Sequence, residues 1–282
     1  MSTPAIIRQK DELLFRDVLF NRPINPALRP RLTIVGGSVK DLKTLSDCYQ
    51  AASALGVVTE LIVPAQIAEF TRGLPVAAYI ELDKNKKLKK SLLQDAGTNC
   101  NLLVLAPGLA ESASTQIALE YMLTDTKAVT LVSDEALSAV SINPTIFSDT
   151  QAIFCLSTKG LITLANHLKI GVDIKPDRGI FNIIDIINTL RTSLRAGFVI
   201  YDNNNIIVSE DGDKVGVTSL EMEDIDHCRG YLIGLLASLT AQYDNDIDQF
   251  LPKAMTASYI FRQSLRTPDA LANLKKALAE LG

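Results

Sequence analysis

The 282-residue chain contains no tryptophan and only two histidines, His167 and His227. Its four cysteines, Cys48, Cys100, Cys155 and Cys228, stand far apart. No Cys or His pair falls at metal-ligand spacing, so no metal centre is expected. Scattered thiols in a chain of this size fit a reducing cytoplasm rather than a disulfide framework. No run approaches 18 apolar residues, and "MSTPAIIRQKDELLF" lacks the apolar core of a signal peptide. Neither a membrane span nor export is expected, and the cytoplasm is the expected setting. A basic excess is missing too: the formal net charge is −4, which argues against nucleic acid as a partner.

What is present is ordinary for a folded protein. With 47% hydrophobic and 21% charged residues, the chain can bury a large core and is not disordered. The five lysines of "KNKKLKK" (84–90) read as a solvated face. "SEDGDK" (209–214) reads as a turn, because calcium ligands do not continue at the required spacing.

Short β-type runs alternate with amphipathic stretches, which predicts an α/β layer fold with a mainly parallel sheet. "RLTIVGGS" (31–38) reads as a buried strand ending in a Gly-Gly turn, and "DLKTLSDCYQAASALG" (41–56) as the helix after it. Further strands are expected at 57–64, 100–108, 128–137 and 152–157, with helices over 114–123 and 158–168. After residue 180 the pattern changes. A helix over 180–194 precedes "GFVIYDNNNIIVSEDGDKVGV" (197–217), whose Asn-rich and Asp-Gly turns mark an antiparallel hairpin. Helices are then expected over 227–242, 249–265 and 268–281. No linker or repeat divides the chain, so one domain spans 1–282, with residues 1–20 as an N-terminal extension.

Three features in order, "IVGGS", "LLVLAPGLA" leading to "VTLVSDEALSAV", and "GYLIGLLASLTAQ" after a hairpin, resemble the ADP- or ATP-dependent NAD(P)H-hydrate dehydratases of the ribokinase-like superfamily. The resemblance covers roughly residues 20–265. It implies a three-layer αβα domain with a nucleotide site at the carboxyl ends of the strands. Gly36, Gly37, Ser38, Pro107 and Gly108 would then border the ligand, with Asp134 and Glu135 on the substrate side. The chain also departs from the family pattern. Ala106 and Ala110 replace the outer glycines of a "GPGLG" turn, and Ser133–Leu137 keeps only part of "DADAL". Nothing polar in 155–160 matches "TPHPGE", and "RAGFV" (195–199) replaces "KGAGT".

The largest departure lies at the helix start. Family members carry "GTGD" there, whose backbone N–H groups form an anion hole and whose aspartate is the catalytic base. Ungapped alignment places His227, Cys228, Arg229 and Gly230 at these positions, so glycine replaces the acid. A slip of four to six residues would bring in Asp226 or Asp224, without a glycine pair. His227 is a further candidate acid or base. Arg229, beside the positive end of a helix, calls for an anionic partner, either a carboxylate such as Asp226 or a phosphate.

The favoured expectation is a ribokinase-like protein without catalytic residues, acting in binding, assembly or regulation. It would bind ADP, ATP or a small phosphorylated ligand weakly and could form homo-oligomers. The alternatives are an active dehydratase or small-molecule kinase with a rearranged site, and an unrelated doubly wound α/β protein.

Overall fold

The computed structural model describes residues 4–20, 25, 28–80, 97–106, 117–119, 122–123, 126–134, 136–137, 151–172, 179–202, 204–210, 214–220, 225–242, 249–265 and 270–281. In chain order these form β1 (Ala5–Gln9), α1 (Asp17–Phe20), β2 (Arg31–Val35), α2 (Leu42–Ala54) and β3 (Val58–Pro64). A 3-10 helix (Ala65–Thr71), β4 (Val76–Ile80), β5 (Leu102–Leu105), β6 (Val129–Ser133) and β7 (Ala152–Ser157) follow. Then come α3 (Thr158–His167), α4 (Ile180–Leu190), β8 (Ala196–Tyr201), β9 (Asn205–Ser209) and β10 (Lys214–Ser219). Three helices complete the described chain: α5 (Arg229–Ala241), α6 (Phe250–Ser264) and α7 (Ala270–Leu281).

All ten strands lie in one sheet, in the order β1-β10-β9-β8-β7-β6-β5-β2-β3-β4. From β8 to β4 every pairing is parallel. Strands β5 and β6 are buried at every position, which is why they read as unbroken apolar runs: helices cover both faces. Leu102 and Val104 of β5 point into one apolar cluster with residues of α2, α5 and α6. Leu103 and Leu105 point into the other, with residues of α3 and α4.

The antiparallel part is β8-β9-β10, as the Asn-rich and Asp-Gly turns predict. Asp202 makes the first turn: its Oδ1 accepts from the Asn204 and Asn205 N–H groups, both at 2.7 Å.

Two strands were not expected. Strand β4 is an edge strand with an alternating, half-exposed pattern. Strand β1 lies in the stretch read as an extension and pairs parallel to β10. The buried Gln9 amide donates to Met255 O (2.8 Å) and Thr218 Oγ1 (3.3 Å), and its Oε1 accepts from the Leu14 N–H. Helix α6 then straps the following residues. Arg262 donates to the Lys10 carbonyl, Tyr259 to Asp11 O and Thr256 to Phe15 O. Residues 5–15 are thus part of the sheet and its helical cover.

Helix α5 is buried at Gly230 and at every position from there to Ala241. It packs between α2, α6 and the sheet, so apolar residues on all its faces are expected. Its serine and threonine hydroxyls are satisfied within the helix, Ser238 donating to Gly234 O and Thr240 to Leu236 O.

Candidate functional site

Strand β2 pairs with β3 on one side and β5 on the other. In an open α/β sheet, such a reversal opens a crevice outside the carboxyl ends of the strands. The Val35 carbonyl accepts from the Ala106 N–H at 2.8 Å, closing the two strand ends together. Beyond them, Gly36 has φ 152° and Gly37 φ 107°. A Cβ on Gly37 would stand 2.7 Å from Ile67 Cδ1 and 2.9 Å from Leu45 Cδ2. Conformation and packing both require glycine there. Ser38 comes next, and its Oγ donates to Asp41 Oδ2 at 2.7 Å and accepts from the Asp41 N–H at 3.2 Å. Helix α2 begins immediately afterwards.

The start of α5 meets this turn. Lys43, in the first turn of α2, donates to the carbonyl of His227 at 2.9 Å and also binds Asp47. Arg229 lies 3.5 Å from Asp41 Oδ1 and 3.8 Å from Asp226 Oδ1. The cation at the helix start is therefore compensated by two carboxylates, of which Asp226 is the one expected from its place three residues earlier. Asp226 and His227 are exposed. The Cys228 N–H donates to Ile225 O and the Tyr231 N–H to Cys228 O, both at 3.0 Å. These two donors of the helix start are already used within the chain.

Gly230 faces α2. A Cβ there would stand 2.8 Å from Asp47 Cβ and still closer to the Thr44 carbonyl. One turn on, Gly234 meets Ala51 Cβ (2.8 Å) and the Cys48 carbonyl in the same way. The two glycines let α5 lie directly on the backbone of α2. Ala106 follows β5 directly. It is fully buried within the apolar cluster, where its methyl fills core.

Asp134 leaves β6 two strands away from β2. Its carboxylate accepts from the Ser157 N–H at 2.9 and 3.1 Å and from the Tyr201 hydroxyl at 2.8 Å. Ser157 in turn caps α3, accepting from the Gly160 N–H at 3.0 Å. A side chain at Gly160 would collide with the Asp134 carboxylate. Asp134 therefore joins the ends of β6, β7 and β8 and the start of α3. Pro107, Gly108, Glu135 and Asp224 lie outside the described residues.

Among the described residues, no three His, Cys, Asp or Glu side chains come together as a metal site, and no helix is long and apolar enough to cross a membrane. Burial, reinforced by the neighbouring Asp47 charge, pushes the Cys48 thiol far above its ordinary range. A cavity of about 250 Å³ between α6 and α7, lined by Tyr259, Gln263, Asn273 and Lys276 among others, shares no residue with the crevice.

Asp41 was missed. Its signal was the Ser-x-x-Asp spacing ahead of an apolar helix, a capping pattern; its partner Arg229 is remote in sequence and left no trace there.

No protein-family model matches the chain, and no curated protein matches it. Solved structures do. A Streptococcus mutans protein described as hypothetical superposes with a TM-score of 0.74 at 18% identity, covering 96% of this chain and 98% of that one. A ribokinase-like superfamily protein of Enterococcus faecalis superposes at 0.71 with 15% identity, covering 97% and 95%. The ADP/ATP-dependent NAD(P)H-hydrate dehydratase of Bacillus subtilis, co-crystallised with ATP and Mg2+ and soaked with CoA, gives 0.63 at 13% identity, covering 100% and 98%. At these identities the likeness is one of architecture, and by it the chain has the ribokinase-like three-layer αβα fold.

Proposed function

We propose that the chain is a catalytically impaired relative of the ribokinase-like kinases and NAD(P)H-hydrate dehydratases that serves as a binding, assembly or regulatory module. The observation that carries this is the contact of Gly230 with the Thr44 carbonyl. In the resembled family the corresponding position bears the catalytic base, and a missing positioned base removes roughly 10² to 10⁴ in rate. Here no side chain fits at that position while α2 lies where it does.

The phosphate cradle of that family is in part taken up by the chain itself. It relies on backbone N–H groups at the helix start, but those of Cys228 and Tyr231 are donated to carbonyls of this chain. Arg229 remains as a charge for an anionic group, and it already faces Asp41 and Asp226. Structural neighbours were solved with ADP or with ATP and Mg2+, which supports a nucleotide or small phosphorylated ligand as the class to test. Calorimetry with ADP, ATP and NADPH is expected to give dissociation constants no tighter than about 0.1 mM, near −5.5 kcal/mol. A micromolar constant for any of them contradicts the proposal.

A further inference from the structure

Helix α7 has two stripes that bear on its neighbours. Leu274 and Leu278 belong to the apolar cluster shared with α6 and the sheet. Beside them runs a second stripe at helical spacing, Asn273, Lys276, Ala277, Glu280 and Leu281. A helix seated on another normally fills such a stripe with apolar side chains. This one instead lines the cavity of about 250 Å³, facing Tyr259 and Gln263 of α6. Ala277 is too short to close it. Tyr259 is a buried, fixed wall, because its hydroxyl donates to Asp11 O at 3.1 Å. Asn273 is held as well, its Nδ2 donating to Ser264 O at 3.0 Å.

Opposite charges stand at the mouth. Lys276 Nζ lies 3.7 Å from Glu280 Oε1, and both side chains are largely exposed. That separation exceeds the 2.7–2.9 Å or so of a direct charge-assisted hydrogen bond. As a device for helix stability the pair is poorly placed. The cation precedes the acid, which is the weaker order for an i,i+4 pair. Glu280 also stands in the last turn of α7, a turn without a basic residue. A cation arriving there gains from the negative end of the helix dipole as well as from the carboxylate.

We propose that this cavity binds a free α-amino acid with an apolar side chain. Its ammonium goes to Glu280, its carboxylate to Lys276, and its side chain onto Tyr259, Ala277 and Leu281. The volume lies just below the roughly 300–1,000 Å³ of pockets for larger ligands, which suits a molecule of this size. A peptide end carries only one of the two charges, so the free amino acid is the better match. The cavity shares no residue with the crevice; this site goes beyond the role proposed above and does not depend on it.

The test is calorimetric titration of the full chain with leucine, leucine amide and N-acetyl-leucine, on wild type, Lys276→Gln and Glu280→Gln. Leucine amide lacks the carboxylate and N-acetyl-leucine the ammonium, and each stands for one end of a peptide. Wild type is expected to bind leucine with a Kd of about 1 mM. It should prefer leucine to either analogue by about threefold or more, the scale of one partly screened charge pair. Lys276→Gln should weaken leucine by about threefold and leave leucine amide unchanged or tighter. Glu280→Gln should weaken leucine likewise and leave N-acetyl-leucine unchanged or tighter. A merely structural pair would move all three ligands together and overturn the assignment. No saturation by leucine at about 10 mM, leucine bound no tighter than either analogue, or a preference unmoved by both substitutions would also overturn it. Nucleotide-dependent turnover by wild type would overturn the proposed loss of catalysis and leave this assignment standing.

Discussion

The carbonyl of Thr44 stands where a side chain on Gly230 would begin. Helix α5 runs against α2 through this contact and the equivalent one of Gly234 on Cys48, and the helix start is bolted down by Lys43 on the His227 carbonyl. The position that the resembled family uses for an acid is, in this chain, part of a helix crossing.

Gly230→Ala should therefore destabilise the protein. Alanine gains roughly 1 kcal/mol over glycine in a helix interior. Forcing a methyl onto a backbone carbonyl costs about 1–3 kcal/mol or more, because a carbonyl within a helix cannot turn aside as a side chain can. Urea unfolding is expected to show a net loss, and Gly234→Ala a similar one. A stabilised Gly230→Ala would mean that the helices do not meet here.

Asp134 should behave as a latch. Hydrogen bonds to a charged group contribute about 1.5–3 kcal/mol each, so Asp134→Ala is expected to cost roughly 2–4 kcal/mol and Tyr201→Phe about 1–2 kcal/mol. The two share one bond, so the double variant should be less destabilised than the sum, by at least about 0.5 kcal/mol. Strict additivity in denaturant unfolding would show that Tyr201 and Asp134 do not interact.

Deleting residues 1–15 should be far more harmful than removing a disordered extension. It takes away β1, the buried Gln9 node and the bonds from Thr256, Tyr259 and Arg262. A truncated protein with an unchanged thermal midpoint would contradict the described edge of the sheet.

Cys48 gives a pH dependence. Its thiol titrates higher in the folded protein than in the unfolded chain. A raised folded value contributes stability that is fully present below the unfolded thiol's pKa and is lost as pH rises beyond it. Above about pH 8.5, wild-type stability should fall with a contribution approaching roughly 1.4 kcal/mol per unit from this thiol. Cys48→Ala should show a shallower decline in paired unfolding series. Cys48 should also resist alkylation at pH 8 until denaturant is added; ready alkylation in the native state would show that it is not buried.

Much of this architecture is legible in the residues. Strands β5, β6 and β7 are apolar runs because they are covered on both faces, and the β8–β10 turns declare themselves through Asp202 and the asparagines beside it. Strands β1 and β4 are short edge strands with partial burial, and five residues such as "AIIRQ" carry too little periodicity to stand out. At the crevice, the Gly36-Gly37 turn was visible because only glycine tolerates Gly37's backbone. The contacts that matter most, Gly230 on Thr44 and Arg229 beside Asp41, join residues nearly 190 positions apart. No local pattern records them. Asp134 was visible as an acid after a strand, but its partner Tyr201 was not.

The most direct measurement is a coupled assay for dehydration of NADPH hydrate, with ADP and with ATP, on wild type and on Gly230→Asp. The account predicts background rates for both proteins. Under the proposed loss of catalysis, wild type has no base at this position. The aspartate in the variant meets Thr44 and Asp47 and reaches the crevice only by displacing α2, so the variant should also be less stable. Clear nucleotide-dependent turnover by wild type would contradict the account and point to another base, with Asp41 and then Asp226 the first to replace. A stable Gly230→Asp that turns over would show that the acid position is open after all.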